Sequence, residues 1–176
     1  MDQLARKIQR ETGMDCYQFR YGWTSGASVA LPGWGWISRR GKTRRFQRYL
    51  ARLIADRPGT TVHVVAHSFG TWIARYSLIR GPEQLRPRIG TLVLMGGIVH
   101  RHDRFTCGRV ERVVNLYSLG DDVVRRAPGF GDSGFRGLAG DGDRVTNVDL
   151  TPAEHCDYTR PGREWAAVVA ALPRSA

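Results

Sequence analysis

The sequence predicts a single α/β domain over residues 1–176, with a mostly parallel central sheet and helices on both faces of that sheet. Two observations predict this fold class. Strand-like and helix-like apolar patterns alternate along the chain, which is typical of a parallel sheet. The run at 89–97 is nearly continuously apolar, as expected for a strand that is buried on both faces. The length is sufficient for one domain with a sizeable core.

The first third of the chain predicts two helices separated by a strand and a loop. Residues 1–12 have the pattern of a short amphipathic helix that ends at Gly13. Residues 16–23 alternate and are rich in aromatic side chains, which indicates a strand. Residues 24–38 combine Gly, Pro and Trp and are expected to form a loop. Residues 42–56 carry apolar side chains at helical spacing.

The rest of the chain predicts four strands and two more helices. The strands are marked by apolar or alternating runs at 62–67, 89–97, 110–118 and 144–150. A helical pattern follows the first of these strands to about Arg80, and another follows Pro161 and ends before Pro173. Residues 128–142 are rich in glycine and are expected to form a loop.

The junction after the strand at 62–67 has the layout of a nucleophile elbow. The strand leads directly into Ser68, and a helical pattern begins immediately afterwards. A serine on so sharp a turn requires small residues two positions before and two after it, and these are Ala66 and Gly70. The Ser68 hydroxyl would then lie at the amino end of a helix, where the helix dipole favours a developing anion. An ordinary serine N-cap is the alternative.

Two further groups of polar residues follow later strands. Asp121 and Asp122 come after the strand at 110–118, and His155 comes after the last strand. The carboxyl ends of parallel strands meet at one edge of a sheet, where open α/β folds build their sites. A serine hydroxyl is a weak nucleophile that needs an imidazole to take its proton and a carboxylate to orient that imidazole. The three groups therefore predict a Ser-His-Asp site.

These motifs resemble those of the α/β-hydrolase superfamily, in its lipase- and esterase-like branch. The stretches 65–71, 120–124 and 155–158 are similar to the nucleophile elbow, the acid turn and the histidine loop of that superfamily. The order Ser, Asp, His along the chain is also that of the superfamily. The resemblance extends over nearly the whole chain. It implies an α/β-hydrolase fold and a serine hydrolase that cleaves carboxylic esters without a cofactor.

The resemblance also implies a role for each site residue. Ser68 is the expected nucleophile and His155 the general acid and base. Asp121 is the expected acid, because the superfamily pattern places the acid two residues before a Val-Val pair, and Asp122 is the alternative. The backbone N–H of Phe69 is expected to donate to the oxyanion.

Two neighbouring residues are expected to support the site without taking part in the chemistry. His67 is expected to pack beside the serine. Asp157 is a weaker candidate for the acid, and is expected to brace the histidine loop or to cap the final helix.

One feature of the superfamily is missing, so the fold is expected to be shortened at its N-terminus. In the superfamily, strands and an oxyanion loop that often begins His-Gly precede the first helix, and this loop supplies a second backbone donor. Losing one such donor typically costs about 2.7–4 kcal/mol of transition-state stabilisation. A catalytically silent binding or scaffold module and a truncated reading frame of an ordinary hydrolase are therefore alternatives. Acyl transfer to an acceptor other than water would use the same three side chains.

The charge and the composition limit the expected partners. With 27 Lys and Arg against 16 Asp and Glu, the formal net charge is +11, which suggests anionic partners or surfaces. No nucleic acid is expected, because the densest Arg runs are not interleaved with aromatic side chains. The expected substrate is a small-molecule or lipid-like ester, with residues 23–36 as a candidate apolar acyl pocket. The sequence does not indicate an oligomeric state.

The expected compartment is the cytoplasm. No apolar stretch reaches the roughly 20 residues of a membrane span, and the N-terminus lacks an apolar signal core. The three cysteines have no metal-ligand spacing and are expected to be reduced thiols. No metal site is expected, because His100, His102 and Asp103 have no further ligand cluster. No nucleotide site is expected either, since the glycine-rich stretch at 129–142 lacks the ending of a phosphate-binding loop.

Overall fold

A computed structural model describes residues 1–21, 34–79, 89–105, 109–127, 129–139 and 142–174 of the chain. The helices in these ranges are α1 (Asp2–Thr12), α2 (Trp34–Ala55), α3 (Phe69–Ile79), α4 (Asp122–Arg125), α5 (Ser133–Arg136) and α6 (Arg163–Ala171). The strands are β1 (Val62–His67), β2 (Ile89–Met95), β3 (Val110–Tyr117) and β4 (Val145–Asp149). Single 3-10 turns lie at Gly142–Arg144 and Asp157–Thr159.

The four strands form one sheet in the order β1-β2-β3-β4, and every neighbouring pair is parallel. The predicted α/β class is therefore confirmed. The parallel register brings the carboxyl ends of the strands to one edge of the sheet, and Met95 of β2 pairs with both His67 of β1 and Leu116 of β3. The turns that follow β1, β3 and β4 start from this edge.

The core lies on both faces of the sheet, and β2 shows why. Leu92 and Leu94 belong to the apolar cluster that includes side chains of α2 and α3, whereas Val93 and Met95 belong to the cluster that includes side chains of α1 and α6. All four are 0% exposed. Because side chains alternate along a strand, a continuous apolar run is what a strand covered on both faces requires.

The structure differs from the sequence prediction in three segments. Residues 34–38, predicted as loop, form the first turn of α2, and no proline between residues 33 and 57 interrupts this helix. Residues 16–21, predicted as part of a strand, pair with no described strand. A segment with strand-like alternation forms a strand only where another strand lies beside it, and the alternation alone does not show whether such a neighbour is present. The predicted loop at 128–142 contains the short helix α5. The candidate acyl pocket lies mostly outside the described residues.

Candidate active site

Ser68 occupies the turn between β1 and α3 in a left-handed backbone conformation, with φ of 52°. A non-glycine residue in this region costs of order 1 kcal/mol or more and persists only where its surroundings hold it. Here the Ser68 N–H donates to the Met95 carbonyl at 3.0 Å, and the Ser68 carbonyl accepts from the Thr71 hydroxyl at 2.6 Å and the Thr71 N–H at 2.9 Å. The turn thus lifts Ser68 out of the line of the strand.

His155 connects Ser68 to Asp121. Its Nε2 lies 2.9 Å from the Ser68 Oγ, and its Nδ1 lies 2.8 Å from the Asp121 Oδ2 and 3.1 Å from the Asp121 Oδ1. A proton on Nδ1 donated to the carboxylate leaves Nε2 free to accept the serine proton. The structure therefore brings Ser68, His155 and Asp121 into one hydrogen-bonded chain, which we call the candidate triad.

Of the two adjacent carboxylates, Asp121 is the one that faces His155. Its side chain is fully buried, and its Oδ1 also accepts the Val124 N–H at 2.9 Å, so the carboxylate is fixed in one orientation. Asp122 is exposed and pairs instead with Arg125 at 2.8 Å and with Arg126 at 3.1 Å. Asp121 is therefore the carboxylate of the candidate triad.

Gly96 is a site residue that the motif analysis did not identify. It directly follows β2 with φ of 51°, and a Cβ at this position would lie 2.9 Å from the Asp121 Oδ2 and 3.1 Å from the His155 Nδ1. The His155–Asp121 contact therefore sits directly over a residue without a side chain. The available signal was the pair Gly96-Gly97 at the end of a buried strand, where close backbone approach is a common reason for glycine.

His67 packs under the histidine loop. Its ring centroid lies 4.8 Å from that of His155 and 5.9 Å from that of Tyr158, and its Nε2 lies 3.2 Å from the His155 carbonyl oxygen. In the neutral ring with its proton on Nε2, this nitrogen donates to that carbonyl. Burial, together with the nearby His155, lowers the pKa of His67 to about 4. His67 is thus a neutral support of the loop that carries His155.

We expect His67 to make the fold less stable in mild acid. An unfolded histidine has a pKa of about 6.5, so residue 67 becomes protonated below that pH in the unfolded chain. In the folded protein His67 stays neutral down to about pH 4. The free energy of unfolding should therefore fall by about 2 kcal/mol between pH 7 and pH 5 from this residue alone. Urea unfolding of the wild type and of His67→Gln at both pH values measures the effect.

The His67→Gln protein keeps an amide donor for the His155 carbonyl but cannot gain the proton, so its loss of stability over this pH range should be smaller by that amount. Equal losses in the two proteins would show that His67 titrates normally in the folded state.

Phe69 places both a backbone donor and an aromatic ring beside the serine. It is the first residue of α3, where the N–H has no acceptor within the helix. Its buried ring stacks on Trp72 at 5.8 Å and lies edge-on to Tyr21 at 5.9 Å and to Phe130 at 6.4 Å. The residue after Ser68 thus has an N–H that no carbonyl of α3 accepts and a buried ring that contacts three other aromatic rings.

Other predicted features can also be placed. The Asp157 Oδ2 accepts the Glu154 N–H at 2.8 Å, so Asp157 braces the histidine loop, and the N-cap of α6 is Gly162.

Within the described ranges, no three His, Cys, Asp or Glu side chains are grouped to hold a metal ion. In those same ranges no helix has both the length and the apolar character that crossing a membrane requires.

No protein-family model matches the chain, and no curated protein matches it in sequence.

Proposed function

We propose that this chain is a serine hydrolase that cleaves carboxylic esters through an acyl-enzyme on Ser68. The observation that carries the proposal is the continuous chain of hydrogen bonds from the Ser68 Oγ through both nitrogens of His155 to the buried Asp121. A buried carboxylate on one nitrogen of a histidine and a serine hydroxyl on the other is the arrangement that activates a serine nucleophile.

The proposed reaction has two halves. In the first, His155 takes the Ser68 proton as the Oγ attacks the ester carbonyl, and the Phe69 N–H donates to the resulting oxyanion. His155 then gives the proton to the departing alcohol, which leaves an acyl group on Ser68. In the second half, His155 takes a proton from water, the hydroxide attacks the acyl carbonyl, and Ser68 regains its proton as the acid departs. Asp121 keeps its charge throughout and stabilises the imidazolium.

The surroundings of Ser68 favour an ester with an apolar acyl group. The buried Phe69 ring, which belongs to the residue after the serine, contacts the rings of Trp72 and Phe130. The Arg39 guanidinium lies 4.6 Å from the Phe130 ring and 5.7 Å from the Trp72 ring. An apolar surface with a cation at its border suits a lipid-like ester whose remaining groups are neutral or anionic rather than cationic.

A reducing compartment such as the cytoplasm is part of the proposal. Cys16 and Cys156 are free thiols in the structure, and disulfides are rare where thiols are kept reduced.

Fluorophosphonate labelling tests the proposal directly, because this reagent captures an activated serine without requiring the natural substrate. The full chain should gain one adduct by intact mass, and peptide mapping should place it on Ser68. His155→Ala should remove the labelling while the protein stays folded by circular dichroism. A label on another residue, or labelling of Ser68 that persists without His155, would contradict the assignment. Turnover of p-nitrophenyl esters of increasing acyl length would then define the acyl preference.

A further inference from the structure

A long groove separates β1 from the segment at residues 14–21. The groove has a volume of about 1100 Å³, and every residue of β1 lines it on one side while every residue of that segment lines it on the other. Ile8 of α1 and Leu50 of α2 are among its apolar lining. We call this space the edge groove. Six strand residues at about 3.3 Å each make it roughly 20 Å long, the length of an ordinary strand.

The backbone of β1 faces this groove with hydrogen-bonding groups. The N–H and C=O of one strand residue point to the same side, and those of the next residue point to the other side. Ser68 directs its N–H to Met95, towards β2. By alternation, Val65 and His67 direct their N–H and C=O groups away from β2 and into the edge groove. Among the described residues no strand pairs with β1 on that side.

Contacts with helices hold the opposite wall of the groove. The Phe19 ring packs against Phe46 at 4.9 Å and against Tyr49 at 5.4 Å, both on α2. Arg57, just after α2, donates to the Tyr17 hydroxyl. The segment at 14–21 is therefore fixed beside β1 by side-chain contacts, and within the described part of the chain it does not pair with β1 as a strand.

We propose that the edge groove binds an extended segment of a partner polypeptide, which adds a strand to the free edge of β1. An exposed strand edge is a template for a further strand, and main-chain hydrogen bonds to such an edge are a general mode of peptide recognition. This inference does not depend on the proposed esterase activity, since it rests on the opposite edge of β1 from the one paired with β2.

The lining sets the chemistry of the partner segment. Apolar side chains approach the groove from both faces of the sheet, with Ile8 and Val65 in one core cluster and Leu50 and Ala66 in the other. Successive side chains of an inserted strand would point to these two faces in turn, so the segment should be uncharged and apolar at consecutive positions. A charged side chain at its centre would be desolvated without a counterion.

The Asp and Arg side chains that line the groove contact either one another or the Tyr17 hydroxyl. Arg20 contacts Asp2 at 3.2 Å, and the Tyr17 hydroxyl contacts Asp15 at 3.4 Å while it accepts from Arg57. Charged side chains on the partner would therefore be placed at the ends of the segment rather than within it.

Amide hydrogen exchange of the full chain tests this inference. The probe is a synthetic peptide with the sequence of β2 (Ile89–Met95) flanked by lysines, because that sequence already pairs with the other edge of β1. At saturating peptide the Val65 and His67 amides should exchange at least tenfold more slowly. The Val64 amide, which faces β2, should be unchanged and is the internal control. A peptide with prolines in place of Leu92 and Leu94 should have no effect.

The outcomes separate the possible occupants of the groove. Unchanged exchange at 1 mM peptide would overturn the proposal. Slow exchange of the Val65 and His67 amides without peptide would also overturn the proposal. If this protection increases with protein concentration, a second copy of the chain fills the groove. If the protection is independent of protein concentration, the segment at 14–21 closes on β1. In Val65→Pro the missing donor should weaken peptide binding at least tenfold, and an edge strand tolerates proline. These measurements report amide exchange and peptide binding at β1, so their interpretation is the same whether or not the protein hydrolyses esters.

Discussion

Replacement of Ser68 by glycine is expected to lower the kcat of ester hydrolysis by about 10⁶-fold and yet to give a more stable fold than Ser68→Ala. Both substitutions remove the nucleophilic Oγ, so both should abolish the acyl-enzyme. They differ in backbone cost, because residue 68 has φ of 52°, a conformation that glycine adopts freely and alanine does not. The Ser68→Gly protein should therefore be about 1 kcal/mol more stable than Ser68→Ala.

The two proteins form a matched pair for this measurement. Urea denaturation at pH 7 gives the difference in the free energy of unfolding, and hydrolysis of p-nitrophenyl butyrate gives the two activities. If Ser68→Ala were as stable as Ser68→Gly, the turn would hold no strain. If either variant kept more than about one thousandth of the wild-type kcat, another nucleophile would be at work.

Asp121→Asn should lower kcat by about 10⁴-fold while the fold is kept. The amide oxygen can still accept the Val124 N–H, but its NH₂ group then faces the His155 Nδ1. That contact favours the tautomer with the proton on Nε2, which cannot accept the proton of Ser68. Steady-state hydrolysis and the rate of fluorophosphonate labelling should fall together, since both need the activated serine.

Asp122→Asn is the matched control for this substitution. It removes the neighbouring carboxylate, which is exposed and pairs only with Arg125 and Arg126 among the contacts described. Exposed ion pairs contribute roughly 0–1 kcal/mol, so stability and kcat should change little. A large loss of activity in Asp122→Asn with little loss in Asp121→Asn would reverse the assignment of the acid.

The strands of the sheet could be predicted from the sequence because each has a clear pattern of apolar residues within a few positions. The strand at 89–97 is apolar at almost every position, which only a strand covered on both faces requires, and the structure places it as β2, between two other strands. The switch from strand to helix period at Ser68 likewise located the turn to the residue. Both signals are contained in a few consecutive residues.

The features that the sequence did not predict depend on distant contacts. Residues 16–21 have strand-like alternation, yet a strand exists only if another strand pairs with it. The need for Gly96 arises from His155 and Asp121, which are far away in the chain. The choice between Asp121 and Asp122 likewise depended on which carboxylate the fold buries beneath the histidine loop, and adjacent residues of one type carry no such information.

The three side chains of the candidate triad come from distant parts of the chain. Ser68 and His155 are 87 residues apart, and Asp121 and His155 are 34 residues apart. Closing contacts of such long separation costs chain entropy, which the packing of the assembled fold has to offset. A chain in which β1, β2 and β3 have paired but β4 has not would hold Ser68 and Asp121 without His155 between them. Reactivity of Ser68 would therefore distinguish fully folded molecules from those in which the C-terminal part of the chain has not yet folded.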